Sequence, residues 1–255
     1  MTVFEKIHYY LARLFLFLVP VNRLLRCIPR SNFRLHIVGL LHYLRPNLSE
    51  VVYTNNGETM AYVGFFRSEY VTSLLKAVGP TGHVVLIEAH PTNYNRLTNG
   101  LENIPDKEQV TTINVALWHE QGEVPFEVYN DEDEAQYHKI SGALGDAYYG
   151  NSTKTIQVSC DTFDNIYLKF HAIRHTFVTI NGAELEALKG MKNYLGTPGN
   201  SVWIKSPFRN KDTGELMYKE VADVLKEQGM KVFIGAKTYQ SPSKTMGKVF
   251  AYQPF

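Results

Sequence analysis

The sequence predicts an α/β domain built on a mostly parallel sheet, and three observations support this prediction. From residue 50 onward, short apolar runs typical of buried strands alternate with amphipathic segments of helical period. Turns that contain Gly and Pro, such as residues 79–82, separate these segments. Of the 255 residues, 44% are hydrophobic, so the chain can bury a sizeable core and is neither disordered nor collagen-like.

The individual elements follow one another in a regular order along the chain. The predicted strands share short, largely apolar runs and lie at 59–65, 83–89, 109–117, 123–129, 155–159, 176–180, 201–205, 230–236 and 248–252. The predicted helices share apolar residues on one face and lie at 68–77, 91–103, 161–168, 182–195 and 213–228. The strand at 123–129 looks like an outer strand or hairpin arm. Residues 51–255 are therefore predicted to form one domain whose sheet has about seven strands.

Residues 1–50 differ from the rest of the chain in charge and hydropathy. They hold seven Lys or Arg and two acidic residues, a net charge of +5, whereas the whole chain carries +1. The uncharged apolar run at 14–21 contains Pro20 and is shorter than the roughly 20 residues that span a bilayer. We predict a basic, apolar, helical N-terminal extension. It contacts either a membrane surface with anionic headgroups or a protein partner, and both interpretations remain open.

Composition also limits the compartment and the ligands. Cys27 and Cys160 cannot form a disulfide framework, so we expect a cytoplasmic protein, peripheral on a membrane if residues 1–50 bind lipid. Nucleic acid is not an expected partner, because the basic residues gather in an apolar segment. The histidines lack metal-ligand spacing, and nothing fixes the geometry of the acidic run at 131–134, so no metal site is predicted.

Candidate binding residues lie where predicted strands end, the edge at which open α/β sheets bind ligands. The second strand ends in Glu88, which is followed by Ala-His-Pro-Thr-Asn at 89–93. Asn-Val-Ala-Leu follows at 114–117, and Gly-Ala-Glu-Leu-Glu-Ala-Leu-Lys-Gly at 182–190. In order and spacing, over roughly residues 55–195, these motifs resemble the FkbM family of S-adenosylmethionine-dependent methyltransferases.

The resemblance implies a fold, a cofactor and a set of site residues. The fold would be the Rossmann-like, seven-stranded class I methyltransferase fold, preceded by the N-terminal helical extension. The implied substrate is a sugar or lipid-linked glycan hydroxyl. The cofactor-binding residues it implies are Gly64, Ser68, Glu88, Asn93, Asn114 and Ala116. The family's catalytic positions fall on Thr179, Asn181 and Glu184.

The departures from the family pattern fall on functional positions. Tyr62 replaces an Asp and Phe66 an Asn, and we expect Phe65 and Phe66 to occupy space that the methionine portion of the cofactor needs. Thr179 and Asn181 stand where the family has acids. One hypothesis is therefore a degenerate, non-catalytic interaction or structural subunit, with no cofactor, in a membrane-bound assembly. The alternatives are an active S-adenosylmethionine-dependent O-methyltransferase and a module that binds another nucleotide.

Overall fold

The computed structural model describes most of the chain from residue 28 onward. The described residues are 25, 28–44, 52–65, 67–129, 138–145, 152, 154–170, 172–235 and 247–255. The predictions made for residues 1–24, for Phe66 and for the acidic run at 131–134 lie outside these residues.

Helices and strands alternate along most of the described chain. The helices are α1 (Asn32–Leu44), α2 (Val71–Val78), α3 (Pro91–Leu101), α4 (Phe163–Lys169), α5 (Glu184–Lys189), α6 (Lys192–Gly196) and α7 (Met217–Glu227). The strands are β1 (Thr59–Val63), β2 (His83–Ile87), β3 (Val110–Ile113), β4 (Ala116–Leu117), β5 (Gly122–Val128), β6 (Lys139–Ile140), β7 (Lys154–Asp161), β8 (Ile173–Val178), β9 (Ser201–Lys205), β10 (Lys231–Ile234) and β11 (Lys248–Tyr252). Among the helices of the described residues, none combines the length and the hydropathy that crossing a bilayer requires.

The main sheet has seven strands in the order β10-β11-β9-β8-β1-β2-β3. Strand β11 is antiparallel to both of its neighbours, and the other pairs are parallel. In the register of the central strands, Val63 lies opposite Ile87 on one side and Val178 on the other. The carboxyl ends of β1, β2 and β8 therefore meet at one edge. The predicted seven-stranded α/β fold is confirmed.

Both faces of this sheet are buried, which explains the continuous apolar runs in its strands. Ala61 and Val63 point into a core that also contains apolar residues of α5, α6 and α7. Met60 points into the opposite core, with apolar residues of α1, α2 and α3. This alternation follows from the two-residue period of a strand.

A second, four-stranded sheet has the order β4-β7-β5-β6 and differs from the prediction. The single strand predicted at 109–117 is divided between the two sheets, because β3 pairs with β2 whereas β4 pairs with β7. Ala89 and Ile180, which follow strands of the main sheet, pack against the core of this second sheet. Strands β4 and β6 are two residues long, too short to give a periodic sequence pattern.

The helix predicted at 182–195 is two helices, α5 and α6, separated at Gly190. A Cβ atom at Gly190 would lie 2.4 Å from the carbonyl oxygen of Trp118. The chain therefore approaches β4 closely at this position, and the approach requires a residue without a side chain.

Buried arginines attach α1 and the residues before it to the main sheet. Arg34 is fully buried, and its guanidinium donates to the carbonyl oxygens of Leu25, Val52 and Thr54 at 3.0–3.2 Å. Burial is the main cause that lowers the pKa of Arg34 to about 10. These bonds tie α1 to the segment that leads into β1.

Arg30 makes a second attachment, through charge. Its Nε and Nη2 atoms donate to the two carboxylate oxygens of Glu58 at 2.7 and 3.1 Å. Nη2 also donates to the carbonyl oxygen of Arg174 in β8, at 3.2 Å. Bidentate Arg–carboxylate pairs of this kind are stronger than single ion pairs, because two parallel hydrogen bonds fix their geometry. Arg30 therefore joins three separate segments of the chain.

Replacing Arg34 by Ala should destabilise the fold strongly. The variant Arg34→Ala leaves three buried carbonyl oxygens without their donor and removes a large buried side chain, so we expect a loss of about 2–5 kcal/mol. Urea unfolding followed by circular dichroism measures this loss. The matched control is Arg96→Ala, on the exposed surface of α3, which we expect to stay within about 0.5 kcal/mol of the wild type. Equal stability of the two variants would contradict the structural role of Arg34.

Candidate ligand-binding site

A cavity of about 60 Å³ lies at the carboxyl edge of the main sheet, with room for a few water molecules. The ends of β1, β2 and β8 form one side of it, and the second sheet contributes Phe126, His138 and Ile140. The predicted site residues that line it are Gly64, Glu88, Asn93, Ala116, Thr179 and Asn181. The edge of the sheet that the sequence predicted is therefore the one that holds the cavity.

Two predicted cofactor residues lie outside the cavity lining. Ser68 packs against α3, where a Cβ atom at Gly100 would lie 2.1 Å from the Ser68 Oγ. The Asn114 side chain donates to the carbonyl oxygens of Glu88 and Ala89 at 2.8 and 3.1 Å. In this structure, Ser68 contacts a helix and Asn114 holds the loop after β2.

Glu184, the third predicted residue outside the lining, is fully buried at the beginning of α5. Its carboxylate accepts a hydrogen bond from the N–H of Gly182 at 3.2 Å and contacts the hydroxyl of Ser206 at 3.5 Å. Burial raises the pKa of Glu184 to about 7. The carboxyl group thus binds the backbone amides before its own helix, as expected of an acid in a first helical turn.

The turn after β1 is closed by its neighbours. Gly64 has a φ of +77°, and a Cβ atom there would lie 2.2 Å from the carbonyl oxygen of Thr179. The Thr179 hydroxyl lies 3.3 Å from the carbonyl oxygens of Val63 and Gly64, to which it donates. The N–H groups of Gly64 and Phe65 both donate to the carbonyl oxygen of Ile87, at 2.8 and 3.3 Å. The close approach of Gly64 to the Thr179 carbonyl oxygen, at the end of β8, is therefore sufficient by itself to require glycine at position 64.

The expectation that Phe65 fills the cofactor space is wrong in this structure. Phe65 is buried in the core that contains residues of α2 and α3, and it does not line the cavity. Its ring lies 4.9 Å from that of Tyr62, which stacks on Phe177 at 5.2 Å. Residues on one strand alternate between faces, and Tyr62 therefore points away from the cavity that Val63 lines.

Glu88 is the single acid that lines the cavity within the described residues, and its carboxyl group binds its own loop. Oε1 accepts a hydrogen bond from the N–H of His90 at 2.9 Å. The N–H of Ala89 and the side chain of Asn93 also donate to the carboxyl group. Burial outweighs these bonds and raises the pKa of Glu88 to about 7. Near neutral pH this group is therefore only partly ionised.

His138, next to β6, is a cavity residue that the sequence did not indicate. Its Nδ1 atom accepts a hydrogen bond from the N–H of Tyr129 at 3.1 Å, so the neutral ring carries its proton on Nε2. Its carbonyl oxygen accepts from the Asn181 side chain at 2.9 Å, and its ring centroid lies 4.0 Å from that of His90. No local signal could have found His138, since its position depends on how the second sheet packs.

The comparison with protein families agrees with this architecture. The sequence model of the methyltransferase FkbM domain matches residues 54–232, well over half of the chain. The chain belongs to the FkbM methyltransferase family. Helix α1 precedes the part of the chain that matches the FkbM domain. The cavity residues described above lie within the matched part.

One solved structure of an FkbM methyltransferase supports the same fold for this FkbM-family chain. The FkbM methyltransferase of Methylobacillus flagellatus KT aligns with 84% of this chain at 14% identity and a TM-score of 0.52. The alignment covers 48% of that protein, so this chain spans about half its length. Aeropyrum pernix fibrillarin, solved with natively bound S-adenosyl-L-methionine, aligns with 85% of this chain and 73% of its own, at 14% identity and a TM-score of 0.45. The comparison with curated proteins gives no match.

The pKa of Glu88 predicts a pH-dependent difference between the wild type and Glu88→Gln. The folded-state value of about 7 exceeds the ordinary value of 4.5, so the wild type loses stability relative to the variant as the pH rises from 4.5 to 7. The expected change in the stability difference is on the order of 2–3 kcal/mol. Urea unfolding of both proteins at about pH 5 and about pH 8 measures it.

The control for this measurement is Glu102→Gln, which changes a carboxylate with 73% side-chain exposure at the end of α3. The stability difference for Glu88→Gln should change with pH more than the difference for Glu102→Gln. If the two differences change equally with pH, the raised pKa of Glu88 is refuted.

Proposed function

We propose that this FkbM-family chain does not transfer methyl groups and serves as a non-catalytic interaction or structural subunit. The observation that carries the proposal is the charge of the candidate site. Glu88 is the sole acid that lines the cavity in the described part of the chain, and its carboxyl group is engaged by its own loop. A cationic sulfonium cofactor needs an accessible anion or a set of free acceptors at this edge.

The residues at the cavity fit one part of S-adenosylmethionine and not the other. Ile87, Val115 and Leu117 give an apolar wall against which a planar base can pack, and Glu88 can accept hydrogen bonds from ribose hydroxyls. The amino-acid portion lacks equivalent partners. Tyr62 lies in the aromatic cluster with Phe177, and the turn after β1 is closed on β2 and β8.

The residues at the end of β8 support the same proposal. Thr179 and Asn181 stand where the resemblance to the family implies acids, and both side chains are uncharged. Thr179 donates its hydroxyl proton to β1, and Asn181 donates to the backbone of His138. These bonds hold the strand ends together, so the two side chains serve the architecture of the edge.

An active O-methyltransferase on a sugar or lipid-linked glycan hydroxyl is the second candidate, and one observation favours it. Phe65 packs on the other face of the sheet, so its ring does not block the cavity beside Glu88, Asn93 and Ala116. A cavity at the carboxyl edge is where α/β proteins hold ligands. A ligand that induces a different turn after β1 would make this candidate correct.

Titration calorimetry with S-adenosylmethionine separates the two candidates. We expect no saturable heat for the wild type up to about millimolar concentration, because two or more charge-assisted bonds of roughly 1.5–3 kcal/mol each are missing. S-adenosylhomocysteine and adenosine are titrated in parallel. Saturation by adenosine alone would favour a module that binds another nucleoside.

The outcome that sinks the proposal is a micromolar dissociation constant for S-adenosylmethionine that Glu88→Ala weakens by at least about tenfold. An unfolding curve for Glu88→Ala must accompany the titration, since the variant also removes a loop contact. Transfer of a labelled methyl group from the cofactor to a glycan acceptor by the wild type would refute the non-catalytic role directly.

A further inference from the structure

The outer surface of α1 carries an apolar patch. Phe33, Leu40 and Tyr43 follow one another along the helix and have 68%, 46% and 46% of their surface exposed. We call Phe33, Leu40 and Tyr43 the α1 patch. Three of the six exposed large hydrophobic residues in the described part of the chain belong to it.

The opposite face of α1 is fixed against the sheet, so the helix cannot rotate to bury the patch. Leu35 and Val38 are fully buried in the core, and a Cβ atom at Gly39 would lie 2.3 Å from the ring of Phe233. Arg34 adds its three hydrogen bonds to backbone carbonyls. A helix that is apolar on both faces requires a partner for its outer face, and larger exposed apolar patches mark interaction sites.

The charge of the surrounding sequence identifies the chemistry of the partner. No acidic residue occurs between Glu5 and Glu50, whereas seven Lys or Arg lie in residues 1–50. Arg30 and Arg34 bind inside the fold. The other five are Lys6, Arg13, Arg23, Arg26 and Arg45, so the sequence on both sides of α1 is rich in positive charge. The exposed residues of α1 itself carry no carboxylate that would repel an anionic surface.

We propose that the α1 patch docks on an anionic lipid surface. Its Phe, Leu and Tyr side chains enter the boundary between headgroups and acyl chains, and the basic residues of 1–50 contact the headgroups. A second copy of this chain is a poorer occupant. A symmetric contact places the same surface on both subunits, and it would bring together two segments whose sequence is rich in Lys and Arg. This inference goes beyond the proposed function, because lipid docking does not depend on cofactor binding.

Vesicle flotation of the full chain tests the docking. Vesicles of phosphatidylcholine alone are compared with vesicles that contain about one third phosphatidylglycerol, at low and at high salt. We expect flotation with the anionic vesicles at low salt and weaker binding at high salt. The triple variant Phe33→Ser, Leu40→Ser, Tyr43→Ser should lower the partition coefficient by about tenfold or more, since insertion depends on apolar area.

A matched control changes exposed apolar residues elsewhere. The double variant Tyr70→Ser, Leu168→Ser replaces side chains that are 50% and 56% exposed and lie outside the α1 patch. Its partition coefficient should equal that of the wild type. Urea unfolding of all three proteins checks that the folds are equally stable, as expected for exposed positions.

Three results would overturn the proposal. One is equal flotation with neutral and anionic vesicles, and another is a triple variant that binds as tightly as the wild type. The third is a wild type that floats with neither vesicle. If light scattering then finds a dimer that the triple variant abolishes, a second copy occupies the patch; if it finds a monomer, a protein of another kind is the remaining partner.

Discussion

The contact between β1 and β8 at Gly64 determines the geometry of the carboxyl edge. The backbone of Gly64 passes so close to the Thr179 carbonyl oxygen that no side chain fits between them. The N–H of Thr179 donates to the Val63 carbonyl oxygen at 3.0 Å, and the N–H of Gly64 donates to that of Ile87. These hydrogen bonds hold the carboxyl ends of β1, β2 and β8 side by side. The cavity lies beside these strand ends.

The second sheet gives that edge its other wall. Ala89 and Ile180, which leave the main sheet after β2 and β8, pack on the core formed by β4, β5, β6 and β7. His138 and Phe126 reach the cavity from that side, and the Asn181 side chain crosses to the His138 backbone. Most of the polar groups at the cavity are therefore bonded to the protein itself. Such an arrangement resists rearrangement, and it leaves few donors and acceptors for a small molecule.

The sequence predicted the parts of the fold that depend on local pattern. Strands β1, β2, β9 and β11 appear within the predicted ranges, because each is a short apolar run bounded by polar residues or turns. The break at Gly190 and the division of 109–117 between two sheets escaped prediction, since both depend on close packing between distant segments. The same limit applies to the site. Glu88 could be found because it ends a strand, whereas His138 could not.

The orientation of the Phe65 side chain shows that a sequence motif alone does not reveal which residues line the cavity. Its bulk suggested an obstructed cofactor site, but a φ of +77° at Gly64 directs the next side chain into the core beside Tyr62. An aromatic residue in this turn therefore adds to packing between the sheet and its helices. The charge and hydrogen bonding of the cavity residues therefore count against cofactor binding at this site more than the volume of the cavity does.

Charged side chains are also buried or half-buried at the other end of the strands, under α1. Arg34 is surrounded by backbone carbonyls, Arg30 is paired with Glu58, and burial together with these cations holds the pKa of His175 well below its usual range. Burying such groups is costly, and replacing them by apolar residues would often be neutral or stabilising. Their geometric effect is to fix one orientation of α1. A helix held by hydrophobic contacts alone can slide or rotate, whereas one held by directional bonds presents a constant outer face. The polar bonds under α1 are therefore the physical reason that its apolar face is kept on the surface.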